Sequence, residues 1–348
     1  MSIASAGKPY GGALPPASQR LNQLLLGQFV ARSLALAAEL GIADELRHGP
    51  LSLDELAVRT RTNPDALYRM LRALAAIEVF EEQPGKVFRN SELSECLRSD
   101  VEGSLGPMAR WLGDISGWTA WGRFDHSVRT GEPAFDAVFG ADCFTWMQSH
   151  PDSLAVFQQA MSGYSALTGK AVAEAYDFSA IGTLLDVGGG HGAFLSLLLA
   201  KNPQLRGILF DRPEVIERAA ATFERAHQAS RTRLVSGSFL DGVPDGADAI
   251  SLKHIVHDWD DDHCIRLLAN CRRNLPRGGR LIIIEAVLTD APEGAFTKFL
   301  DLEMLAVTPG GRERSAVEFE RLLTRAGFDL SAVLPTKSPV SVIEGLAR

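Results

Sequence analysis

The 348-residue chain has little cysteine, no long apolar run and no excess of positive charge. Its four cysteines, Cys96, Cys143, Cys264 and Cys271, form no CxxC pair, which argues against a zinc ribbon or a disulfide framework and suits a reducing cytoplasm. No apolar stretch reaches the roughly 18 to 20 residues of a membrane span, since the run over 34–40 stops at Gly41 and Asp44. Residues 1–17 mix Gly, Pro, Ser and Ala without the basic-then-apolar order of a secretory signal and are expected to form a mobile tail. Thirty-five Lys and Arg against 43 Asp and Glu give a formal charge of -8, which repels phosphate backbones, so nucleic acid is not an expected partner. What is present is ordinary for a soluble protein, 46% hydrophobic and 22% charged. The length suggests two domains.

Apolar residues recur at helical spacing from Leu21 through Leu24, Leu25 and Phe29 to Leu40, and Gly41 stands where a helix would end, which predicts a buried helix. Ser52 and Glu55 have the spacing of a capping box, and Asn63-Pro64 opens a further helix. Val79-Phe80, a Gln83-Pro84-Gly85 turn and Val87-Phe88 then read as a hairpin. Helix, turn, helix and hairpin make a winged-helix pattern over 18–103. Residues 104–175 read as helical and hold Trp111, Trp118, Trp121, Phe124, Phe144, Trp146 and Phe157, a group suited either to helix packing or to walling a pocket for a flat ligand.

From 176 onward the class is α/β. Strand-like runs over 183–187, 207–210, 247–253 and 281–285 alternate with amphipathic helices, the mark of a parallel sheet with crossovers. A terminal hairpin over 330–346 turns at Lys337-Ser338-Pro339 and closes the sheet with an antiparallel strand. The run Leu184-Leu185-Asp186-Val187 leads into Gly188-Gly189-Gly190-His191-Gly192, a loop rich enough in glycine for a nucleoside to approach its backbone. Asp211, at the end of the next strand, can accept from both ribose hydroxyls. Gly188, Gly190 and Ala193 also satisfy a dinucleotide fingerprint, so these residues alone leave an NAD dehydrogenase open.

Three ordered motifs carry a resemblance: Asp186-Val187-Gly188-Gly189-Gly190-His191-Gly192, Lys253-His254-Ile255-Val256-His257-Asp258-Trp259 and Gly310-Gly311-Arg312-Glu313-Arg314. Over about residues 20–348 the chain resembles the S-adenosylmethionine-dependent O-methyltransferases of the plant caffeate, isoflavone and acetylserotonin type and their bacterial antibiotic-tailoring relatives. The resemblance implies a Rossmann-like methyltransferase sheet behind a mostly helical, winged-helix-like dimerisation domain. It implies that Gly188 and Gly190 hold the methionyl part of S-adenosylmethionine, Asp211 the ribose and Ser238-Phe239 the adenine, with Lys253 also facing the cofactor. The chain departs from the family at Ser238, where an acid is usual, and at Arg212, where an apolar or small residue is usual.

By the same resemblance His257 is the general base, bracketed by Glu285 and Glu313, and a His base replaces metal activation, so no metal is expected. An adjacent carboxylate would fix the imidazole tautomer and raise its basicity. Asp258 either lies near the transferred methyl or caps the next helix, and Asp260, Asp261 and Asp262 suit the positive end of that helix better than a metal. His254, His191 and His263 read as structural. Phe157, Met161, Met304, Thr308 and Trp259 are expected to line the pocket of an aromatic hydroxylated acceptor, leaving S-adenosylhomocysteine as product. Leu24, Leu25, Phe29 and Val30 give the first helix more apolar surface than one stripe needs, which points to a homodimer. Two alternatives stand against this reading. A winged-helix DNA-binding sensor is disfavoured because Arg47, Arg59, Arg61, Arg69 and Arg72 are interspersed with Asp54, Glu55 and Asp65. The same fold turned to decarboxylation or hydroxylation is disfavoured by the intact His257, Glu285 and Glu313.

Overall fold

The computed structural model describes residues 15–291 and 294–348, so the expected tail lies outside the described residues up to position 14. The chain forms two compact units. One comprises the chain to Trp118 with Pro151–Tyr164, and the other Thr119–His150 with Ser165–Arg348. The division falls inside one helix, Pro151–Ala175.

In the first unit the single helix expected over 21–40 is two, Pro16–Leu25 and Gly27–Glu39, broken at Leu26 beside a glycine of low helix propensity. The burial expectation also fails for its first turns, where Leu21, Leu24, Leu25 and Phe29 are 58–64% exposed. Apolar spacing marks a face to be covered without saying what covers it. The capping box is present, Ser52 N–H donating to Glu55 Oε2 at 2.9 Å and Glu55 N–H to Ser52 Oγ at 3.3 Å. Asn63 caps Pro64–Ala75 through its side chain. The hairpin Phe80–Gln83 and Val87–Asn90 forms, and Leu51–Ser52 joins it as a third strand. Leu56, Leu71, Phe80 and Phe88 fill the core beneath.

In the second unit seven strands run in the spatial order Phe328–Pro335, Ser341–Ala347, Arg280–Glu285, Ala249–Lys253, Thr183–Val187, Arg206–Asp211, Thr232–Ser236. The last five are parallel and the terminal hairpin is antiparallel, as expected. Thr232–Ser236 carries a weak apolar signal because it is the edge strand and none of its residues is fully buried. Period-two alternation divides the strand residues between two cores: Leu185, Ile208, Ile250 and Ile283 face one way, and Leu184, Leu209, Ala249 and Ile282 the other. The strand order reverses at Thr183–Val187, so the carboxyl edge there is the crevice in which such sheets bind ligands.

Candidate active site

The glycine loop leaves the sheet at this crevice. Gly188 has φ +68°, and a Cβ there would lie 2.3 Å from the Ile255 side chain, so only glycine lets the loop and the 255–257 turn approach. Gly190, at φ +58°, faces open space. Asp211 is largely buried, and its carboxylate accepts the N–H of Gly190 at 2.8 Å and of Arg212 at 2.7 Å, each oxygen keeping a lone pair. Arg212 itself turns to Glu214 at 3.4 Å. Buried Asp186 accepts from Ser251 Oγ at 2.7 Å through Oδ1, while its Oδ2 has no partner among the described residues, and burial pushes it up to about 6. Lys253 Nζ donates to Ser165 Oγ at 2.9 Å; burial pulls it down to about 8 against the attraction of Asp186 and Glu285. An open glycine loop, an orphaned buried carboxylate oxygen and a ribose-type acid fit a cationic nucleoside.

Phe239 follows the Thr232–Ser236 strand, is held by Asn270 Nδ2 donating to its carbonyl at 2.7 Å, and meets the edge of Trp259 with ring centroids 6.0 Å apart. Ser238 beside it is exposed, and its carbonyl accepts from Asp241 and Gly242.

His257 sits in a short 3-10 turn just past Ala249–Lys253 and is 8% exposed. Val287–Leu288, separated by one residue from Glu285, pairs in parallel with Arg314–Ser315, directly after Glu313, and this register carries both acids to the imidazole. Their contacts differ. Glu313 Oε1 is 2.7 Å from His257 Nδ1, a direct hydrogen bond. Glu285 Oε1 accepts the backbone N–H of Ile255 at 3.0 Å, Val256 at 2.9 Å and His257 at 3.4 Å, while Oε2 faces His257 Nδ1 at 3.5 Å and His254 Nδ1 at 3.6 Å. Asp258 Oδ1 lies 3.6 Å from His257 Nε2, on the far side of the ring. Of the two readings of Asp258, the cap is taken by Asp260, which accepts from His263 N–H at 2.9 Å.

Burial by itself pulls His257 down, but Glu285, Asp258 and Glu313 outweigh it and hold the imidazole up at about 10. Burial pushes Asp258 up to about 7 despite His257, and Glu285 stays below its ordinary range because His257 and His254 outweigh its burial. His254 is pulled down to about 4 by burial and then by Lys253. At neutral pH the raised imidazole is therefore protonated beside the ionised carboxylate of Glu285. The donor atoms of His254, His257 and Glu285 lie within 4.8 Å of one another, close enough for a metal, but Glu285 Oε1 is engaged by three amides and His257 Nδ1 by Glu313.

Comparison with known proteins decides the class of this site. Residues 121–329 match the model of an O-methyltransferase domain and residues 22–100 that of an O-methyltransferase dimerisation domain. The chain belongs to the O-methyltransferase family. It is 41% identical to the phenazine O-methyltransferase of Lysobacter antibioticus over 94% of this chain and 96% of that protein. The crystal structure of human N-acetylserotonin methyltransferase with S-adenosylmethionine superposes with a TM-score of 0.90 at 28% identity, over 97% of this chain and 99% of that one. An O-methyltransferase from neocarzinostatin biosynthesis, crystallised with S-adenosylhomocysteine and 1,4-dihydroxy-2-naphthoic acid, matches with a TM-score of 0.77 at 33% identity, over 92% and 96%. The family uses S-adenosylmethionine, which closes the dehydrogenase alternative.

In this O-methyltransferase Met304 and Thr308 are buried at the end of Ala295–Val307, with Thr308 Oγ1 donating to the Met304 carbonyl at 2.8 Å. A Cβ at Gly311 would lie 2.1 Å from that hydroxyl and 2.5 Å from the His257 carbonyl, so the Gly310-Gly311 turn is pressed against the backbone of His257. Trp259 lies nearly parallel to Phe144 at 6.1 Å. Phe157 and Met161 belong to the first unit, where Phe157 packs edge-on against Trp111 at 5.0 Å. Most of the aromatic group is packing: Trp146 touches Phe135 and Phe139, and Trp121 lies against Phe124. Sequence reasoning missed Phe144, Ser165, Asp301, which accepts Glu313 N–H at 2.8 Å, and Arg314. Phe144 stood unsorted in the aromatic group, Arg314 stood in a motif already singled out, and Ser165 and Asp301 carried no local signal.

Proposed function

We propose that the chain transfers a methyl group from S-adenosylmethionine to a hydroxyl of an aromatic small molecule, a secondary metabolite, with His257 as general base, and that it does so as a cytoplasmic homodimer. The observation that carries this reading is the 2.7 Å bond from His257 Nδ1 to buried Glu313, at the sheet edge where the glycine loop opens. The cofactor brings an already activated methyl on a sulfonium, so the protein's task is alignment and proton removal. Gly188, Gly190, Asp211, Ser238, Phe239 and Lys253 would hold it. Glu313 accepts the Nδ1–H hydrogen bond and so leaves Nε2, when the ring is neutral, to take the acceptor hydroxyl's proton. A phenol, with a pKa near 10, needs only modest help to lose its proton. Asp258, on the Nε2 side, together with Trp259, Met304 and Thr308, would orient the acceptor ring. Among the described residues no single helix is long and apolar enough to cross a membrane.

The test is incubation with methyl-labelled S-adenosylmethionine and a panel of hydroxylated phenazines, naphthoates, hydroxybenzoates and quinones, with products identified by mass. Labelled O-methyl ethers are the expected result. Decarboxylated or hydroxylated products without methyl transfer would overturn the reading.

A further inference from the structure

We infer that Arg314 is the positioning residue of the base, acting on His257 through the backbone of its turn; this rests on the reading of His257 given above. Arg314 is 1% exposed, the largest fully buried side chain among the described residues. A guanidinium is held in such a place only when its donors are satisfied, because a buried cation is otherwise costly. Here all but one of its bonds go to the segment 256–261. Nη1 donates to the Val256 carbonyl at 2.9 Å and the Arg312 carbonyl at 3.3 Å. Nη2 donates to the Trp259 carbonyl at 2.8 Å and to Asp261 Oδ1 at 2.8 Å, and Nε to the same oxygen at 3.1 Å.

The carbonyls of residues 256 and 259 flank His257, and that of His257 itself accepts Arg312 N–H at 2.8 Å. On the opposite side the N–H groups of 255, 256 and 257 all point to Glu285 Oε1. The turn is thus gripped by a carboxylate at its amide end and a guanidinium at its carbonyl end. Because Arg314 adjoins Glu313 in the chain, one short strand delivers both the imidazole's partner and the clamp on the imidazole's backbone. Lysine keeps the charge but lacks the planar fork that reaches several acceptors at once.

The test uses the full-length enzyme saturated with S-adenosylhomocysteine and follows by NMR the downfield Nδ1 proton of His257 bonded to Glu313, assigned by its loss in His257→Ala. Arg314→Lys is expected to abolish or broaden that resonance. Asp261→Asn, a half-exposed position whose substitution spares the core, should weaken it. With the phenol of the panel turned over fastest, kcat is expected to fall about 100-fold in Arg314→Lys and up to about fivefold in Asp261→Asn, with KM for S-adenosylmethionine within about twofold. Arg314→Lys combined with His257→Ala should be no slower than His257→Ala alone. If Arg314→Lys does not fold, Asp261→Asn carries the test. A merely structural arginine would lower thermal stability while the resonance and the kcat of folded enzyme stayed as in the parent, and that result, or a parent enzyme without the resonance, overturns the inference. Normal turnover of a neutral phenol by His257→Ala would instead overturn the base on which it rests.

Discussion

Glu313→Gln replaces the carboxylate 2.7 Å from His257 Nδ1 with an isosteric amide and leaves Glu285 at 3.5 Å. A charge-assisted hydrogen bond contributes about 1.5 to 3 kcal/mol and a neutral one about 0.5 to 1.5, so the change removes about 1 to 2 kcal/mol of preference for the protonated ring. At 1.36 kcal/mol per pKa unit, His257 should fall by about one unit from its raised position. The same stabilisation is withdrawn from the transition state, in which the ring gains its proton, so kcat should fall about 5- to 30-fold. Imidazole is a base only when neutral, and its pKa is raised here, so activity climbs as pH rises through that value. The variant should therefore move the acid limb of the pH–rate profile to lower pH while lowering the plateau. Profiles of kcat and kcat/KM against pH, with the phenol's own ionisation at about pH 10 measured separately and allowed for, provide the assay. A limb that stays put with an unchanged plateau would refute the coupling of Glu313 to the base.

Asp211→Ala should weaken S-adenosylhomocysteine binding about 10- to 150-fold by calorimetry, because it removes a charge-assisted acceptor of about 1.5 to 3 kcal/mol and frees the Gly190 N–H from its partner. S-adenosylmethionine is a cation whose methyl, in the proposed reaction, lies beside the oxygen that His257 faces, so its binding should lower the pKa of the raised imidazolium and release protons in the alkaline range where that group titrates, whereas the neutral sulfur of S-adenosylhomocysteine should release fewer. Binding enthalpies in buffers of different ionisation enthalpy would reveal the difference, and equal proton release by both would contradict it. Leu24→Glu with Phe29→Glu, on the exposed apolar face of the first two helices, should convert a dimer to monomers in light scattering without unfolding the chain, and an unchanged mass would show that this face is not the interface.

The fold could be read wherever local pattern and tertiary demand agree. Capping residues Ser52 and Asn63, the strand-to-loop transition at Val187 and the terminal hairpin all announce themselves within a few residues. Thr232–Ser236 did not, because an edge strand is not required to be continuously apolar. Asp258 and Glu313 stand in motifs and Glu285 at a strand end that the resemblance marks, but their division of labour was hidden: whether Glu285 bonds the ring or the backbone depends on a turn in which His254 takes φ +54°. Arg314 was invisible as a clamp because its acceptors are main-chain carbonyls, which every residue has. The exposure of Leu24 and Phe29 was not legible either, because periodicity marks an apolar face without saying whether this chain covers it.

The most direct test of the account is the turnover of a neutral phenol by His257→Ala. Loss of a general base typically costs about 100- to 10,000-fold, and the account predicts a fall in that range with cofactor affinity nearly unchanged, since the ring faces the acceptor. It also predicts that the loss shrinks at high pH and for phenols acidic enough to be ionised already. Near-normal turnover of the neutral phenol by His257→Ala would contradict it and leave alignment of methyl and hydroxyl as the whole mechanism.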